Sequence, residues 1–173
     1  MTNANNPVIC TDDGWILGAI EPPLSVEEMR EKLIVPHLNT PASLWWSIGD
    51  HEVYHYETIV GEIMGDGYAT TDLPPNVRRV AENTRHLIKT TGGPLTTLVS
   101  LCKEAGIEFF SRVRMNSHYR IDPSSPIYGR FRRENPQFLI GRSDKSLSKG
   151  SLEWAVRTGL DYTFPQVREH MFK

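Results

Sequence analysis

The chain has 173 residues, 39% of them hydrophobic and 23% charged, with a formal net charge of −2. That length and balance suit one folded domain with a real core and exclude a disordered tail. The small negative charge disfavours a general nucleic-acid or acidic-membrane surface, and no apolar run approaches the roughly 18 residues a membrane span needs.

Met1 to Asn6 is polar and lacks the apolar stretch of a secretion signal, so a cytoplasmic protein is expected. Val8 to Thr11 then reads as a strand, with room to extend to Leu17 across the turn signal Asp12-Asp13-Gly14-Trp15. Pro22-Pro23 marks a loop. Ser25 followed three residues later by Glu28 is a capping box, opening a helix that runs to about Val35 and stops at Pro36. Ser43 to Ile48 is the second strand, closed by Gly49-Asp50. Residues 50–76 form a long connection rich in aromatics and glycines, a length usually tied to function.

Val77, Val80, Ala81, Thr84, Leu87 and Ile88 repeat at helical spacing, and Gly92-Gly93-Pro94 breaks the pattern. Leu95, Leu98, Leu101, Cys102 and Ala105 form the next stripe, ended by Gly106 as its cap. Ile107 to Val113 is the third strand. Residues of about 117–150 form an insertion, and Leu152 to Leu160 suits either a short helix or an extended segment. From Pro165 a last helix begins, with Val167, His170 and Met171 on one face, and the chain stops inside it. The whole therefore reads as a single domain forming the opening part of a larger fold.

Strands separated by helical segments predict parallel βαβ units, whose ligands meet the carboxyl ends of the strands. That rule selects Asp12 to Trp15, Gly49-Asp50-His51, and Arg114 to His118. Asp12, Asp13 and Asp161 are the candidate catalytic carboxyls. Glycoside cleavage needs two such groups about 5 or 6.5–9.5 Å apart, depending on mechanism. Trp15 is a candidate sugar-stacking residue. Trp45 and Trp46 must point to opposite faces of their strand, one inward and one free to stack. Alternation places Arg112, Arg114 and Asn116 on one face. Either Arg114, Asn116 and His118 form a polar cup for a ligand, or they belong to a salt-bridge network with Asp12, Asp13 or Asp161. Arg130, Arg132 and Arg133 suit either a local anion grip or a solvated loop.

His51-Glu52-Val53-Tyr54-His55 matches the zinc-hydrolase string H-E-x-x-H, which works only on a helix. The β-favouring residues Val53, Tyr54, Tyr56, Ile59 and Val60 argue for extended chain instead. Cys10 and Cys102 form no disulfide framework, and Cys102 lies on an apolar stripe, as a buried thiol would. No phosphate- or dinucleotide-binding loop is present, and no cofactor is expected.

Several strings together resemble the opening of uncharacterised glycosyl hydrolase-like TIM-barrel proteins: Thr11-Asp12-Asp13-Gly14-Trp15, then Gly49-Asp50 leading to Tyr56-Glu57-Thr58-Ile59-Val60-Gly61-Glu62. Arg112 to His118, and Leu160-Asp161-Tyr162 running on to Glu169, complete the likeness. The resemblance implies a partial (β/α)8 barrel, its first three or four βα units, where a full barrel takes about 250 residues. It implies a sugar site lined by Asp12, Asp13, Arg114, Asn116, His118 and Asp161, with Trp15 and Tyr162 beside them. The expected function is the N-terminal part of a carbohydrate-active hydrolase, weak or inactive alone, which self-associates or pairs with a missing C-terminal half. The alternatives are a non-catalytic module that binds a sugar or an anion, and a zinc hydrolase through His51 and His55.

Overall fold

The computed structural model describes residues 8–39, 41–50, 52–115, 122–142 and 145–172. Five strands form one mostly parallel sheet: β1 (Val8–Asp12), β2 (Ala42–Asp50), β3 (Val53–Tyr54), β4 (Glu62–Ile63) and β5 (Glu108–Arg114). β2 is central. It runs parallel to β1 on one edge, with Cys10 opposite Leu44, and parallel to β5 on the other, with Phe110 opposite Trp45. Once β1 has ended, β2 turns back into β3 antiparallel, Gly49 facing Tyr54, and β3 takes β4 in parallel. The fold is a mixed α/β architecture.

Period-two alternation explains which face is covered. Leu44, Trp46 and Ile48 of β2 are buried in the core, Trp46 completely. Against them pack the helices that cross between strands: α2 (Val26–Leu33), α3 (Pro75–Thr91) and α4 (Pro94–Ala105). α3 presents Val77, Val80, Ala81, Thr84 and Leu87, and α4 presents Leu98, Leu101 and Cys102, as their stripes require. The Cys102 thiol is pushed up to about 11 by burial, so it stays a neutral apolar group. On the opposite face Trp45 stacks on Phe110 at 4.9 Å, while Ile9 is 59% and Phe110 42% exposed. Among the described residues no helix covers that side.

The helix ends follow the expected chemistry. Ser25 Oγ accepts the Glu28 backbone N–H at 3.1 Å, and Glu28 accepts that of Ser25 at 2.9 Å. Gly106 closes α4 in the left-handed region. Between α1 (Ile16–Ala19) and α3 lies a fully buried amide, Asn83. Its oxygen accepts Leu24 N–H at 2.8 Å, and its nitrogen donates to the carbonyls of Leu17 and Ile20 at 2.8 and 2.9 Å. One side chain thus satisfies three backbone groups that no helix or strand could.

Three sequence expectations change. The first strand does not reach Leu17, because Asp12 Oδ1 accepts the Gly14 N–H at 2.7 Å and Gly14 reverses the chain at φ 80°; Leu17 is then buried from α1. Residues 50–76 are not one loop, since they hold β3, β4 and a 3-10 turn, Thr70–Asp72. The region expected as an insertion contains α5 (Arg130–Glu134), so the basic run is helical, and Arg132 is fully buried rather than solvated. Leu152 to Leu160 resolves into α6 (Leu152–Ala155) and a bridge from Leu160 to Leu139. Leu139, Leu160 and Val167 of α7 (Pro165–Met171) then build a second small core with Phe131, Phe138 and Met171. No helix among the described residues is long and apolar enough to cross a membrane.

Candidate functional site

The parallel strands β1, β2 and β5 point their carboxyl ends the same way but are staggered: Asp12, the last residue of β1, lies opposite Trp46, whereas Arg114 closes β5 opposite Asp50 at the end of β2. Asp12 closes β1. Burial pushes its carboxyl above the usual range and neighbouring Asp13 adds to this, against the Gly14 N–H, Trp46 and Arg112. The turn after Asp12 is packed tightly. A Cβ on Gly14 would lie 2.6 Å from both His55 Nδ1 and the Ser47 carbonyl. His55 is 2% exposed, with Trp15 edge-on at 6.5 Å and Trp46 at 5.9 Å.

Asp13 supplies the partner that the strand-end arginines require. It is paired with Arg112 and lies 3.5 Å from Arg114 Nη1. Arg112 also donates to Ser47 Oγ on β2 from Nε at 3.0 Å and from Nη2 at 2.8 Å, tying the strand ends together.

Asp161 does not serve this network. Its carboxylate accepts from Arg142 at 2.7 Å, from the Thr163 backbone at 3.1 Å and from the Thr163 hydroxyl at 2.6 Å, with Lys145 Nζ at 3.8 Å. Burial pushes that carboxyl up, but the Thr163 and Arg142 hydrogen bonds and the Lys145 charge outweigh it and hold it below the usual range. Its neighbour reaches the strand end instead: the Tyr162 hydroxyl donates to the Met115 carbonyl at 2.6 Å. Asn116, His118 and His51 lie outside the described residues.

Among the described residues of the H-E-x-x-H string, Glu52 to His55, none is helical, as the β-favouring side chains predict. Val53–Tyr54 is strand, and His55 N–H donates to the Ile48 carbonyl at 2.9 Å. Glu52, the general base of that reading, is instead taken up by an internal ion pair. It is 3% exposed and accepts from the fully buried Arg132 at 3.0 Å, with His170 Nε2 at 3.4 Å from its second oxygen. Gly129 makes room for this pair, since a Cβ there would strike the Glu52 carboxylate. Nearby, Glu62 accepts the Arg130 backbone N–H at 2.6 Å and Arg133 Nη2 at 3.1 Å. The basic run is therefore internal fastening. Among the described residues no group of three His, Cys, Asp or Glu gathers that could hold a metal ion.

Two cavities flank this fastening. One of about 210 Å³ is lined by Glu52, Gly61, Glu62, Phe131 and His170, among others. The other, of about 270 Å³, lies by the end of β5 and is lined by Tyr54, Tyr56, Val113 and Met115, again with His170. Tyr54 and Tyr56 pack at 5.0 Å, and burial pushes the Tyr54 hydroxyl up to about 12, so it remains a donor. His170 lies flat on Phe131, 3.8 Å between ring centres. Sequence reading missed Glu52–Arg132 and His170 as a unit. The available signal was Tyr128 and Phe131 set within the basic run, which a solvated loop does not need. No protein-family model matches the chain, and no curated protein matches it.

Proposed function

We propose that this chain carries part of a carbohydrate-binding cleft of the glycoside hydrolase-like barrel type, with Asp12 as its candidate acid carboxyl. The observation that carries this reading is the cavity lined by Tyr54 and Tyr56 at the end of β5; Asp12, Asp13 and Arg114 lie near the ends of the adjoining strands without lining it. Aromatic faces suit the apolar C–H surface of a sugar ring, and fixed charges suit its hydroxyls. The order β1, β2, β5, each parallel to its neighbour, is that of consecutive barrel strands. The face bearing Ile9, Trp45 and Phe110, opposite the helices, suits the inner wall of such a barrel.

Binding without turnover is the second reading. It is favoured by the other two candidate carboxyls, since Asp13 and Asp161 are both engaged by cations. The test is a panel of monosaccharides and their nitrophenyl glycosides, followed by tyrosine and tryptophan fluorescence and by nitrophenol release. Saturable binding is expected. If any glycoside turns over, Asp12→Asn is expected to abolish release while keeping affinity. Sugars that leave fluorescence unchanged at saturating concentration, with no release, would sink the proposal.

A further inference from the structure

The two cavities share two lining residues, Val60 and His170, so they adjoin. Their walls differ. One end carries the tyrosines, Tyr54 and Tyr56, beside Val113 and Met115; the other carries the charged groups Glu52, Glu62, Arg130 and Glu134 beside Ile59 and Phe131. At the junction His170 is held firmly. Its ring is parallel to Phe131 within 5°, and its Nε2 sits 3.4 Å from Glu52, which Arg132 anchors from behind. An imidazole fixed by a stacking partner and a buried carboxylate has a defined direction in which to meet a ligand hydroxyl, at little entropic cost on binding.

We propose that the two cavities are adjoining subsites of one groove that takes at least a disaccharide, and that His170 is the contact common to both. This rests on the carbohydrate reading above and extends it from the presence of a sugar to its length. The aromatic end takes one ring by stacking. The charged end takes the next by hydrogen bonds to its hydroxyls, with Glu62 and Arg130 as its polar groups. Val60, 41% exposed, forms part of the wall between them. Glu52 acts through His170 as a positioning residue.

The experiment compares cellobiose, maltose and lactose with glucose and galactose, by calorimetry and by proton–carbon spectra of labelled His and Tyr rings. One disaccharide is expected to bind about tenfold or more tighter than its own monosaccharides, roughly 1.4 kcal/mol, and to shift both the His170 and Tyr56 signals. Two variants keep the result readable if one misfolds. His170→Gln should remove most of the disaccharide advantage. Val60→Trp, which narrows the junction from the opposite side to His170, should also cut the disaccharide advantage, and a circular dichroism melt shows whether each variant is folded. Monosaccharides binding as tightly as every disaccharide, or a bound disaccharide that leaves His170 unshifted, would overturn the groove but keep the sugar reading. Failure of all five sugars to bind would remove both.

Discussion

Arg132→Met isolates one interaction that is large and has a definite sign. The wild-type pair places a fully buried guanidinium 3.0 Å from a carboxylate that is 3% exposed. At an effective dielectric near 20, two unit charges at that separation attract by about 5 kcal/mol. Most of that offsets the cost of removing both ions from water, so the intact pair contributes little net stability. Deleting one partner is different, because Glu52 stays buried with its charge and loses its main donor. The expected loss is about 3–5 kcal/mol, and for a chain of this size each kcal/mol lowers Tm by about 2–4 °C. Circular dichroism melts and urea titrations should therefore show a fall of roughly 6–20 °C. Replacing both partners with apolar residues of similar shape, Glu52→Leu with Arg132→Met, should recover most of it, to within about 1 kcal/mol of the parent. A single variant that loses under about 1 kcal/mol, or a double variant no more stable than the single, would refute the argument.

Two further outcomes follow from the same physics. Asn83→Leu keeps apolar volume but strands the Leu24 N–H and two carbonyls inside the core, so a loss of about 2–4 kcal/mol in urea unfolding is expected; an unchanged midpoint would show that these groups find other partners. Asp161 has its carboxyl held below the ordinary value of 3.8, so its ionised form stabilises the fold above that pH and the contribution is lost as pH falls through the folded value. Asp161→Asn should cost about 1–2 kcal/mol at pH 7, with the gap to wild type closing as pH falls through the lowered folded value; a gap that stays constant with pH would contradict the assignment.

Local signals in the sequence carried the regular elements well. The Ser25–Glu28 box, the α3 and α4 stripes, the Gly106 cap and the opposed Trp45 and Trp46 are all set by neighbours a few residues away, and each holds in the structure. Parallel strand order followed from the alternation of strand and helix. What escaped was long-range. Arg132 meets Glu52 across 80 residues and Asp161 meets Arg142 across 19. Nothing in the immediate sequence says which of several carboxylates a given arginine will choose. The pairing of Asp13 with Arg112 was legible only as one of three options, because strand-end proximity narrows the partners without selecting one.

The walls of the groove belong to parts of the chain that are far apart in sequence. One comes from the return of β2 through β3 to Gly61, the other from α5 and α7. Two of the seams between them, Glu52 to Arg132 and Glu62 to Arg133, are joined by opposite charges. Dissolved ions weaken such a seam where it meets solvent and leave its buried end intact. Raising ionic strength is therefore expected to weaken the Glu62–Arg133 seam first and the buried Glu52–Arg132 seam least.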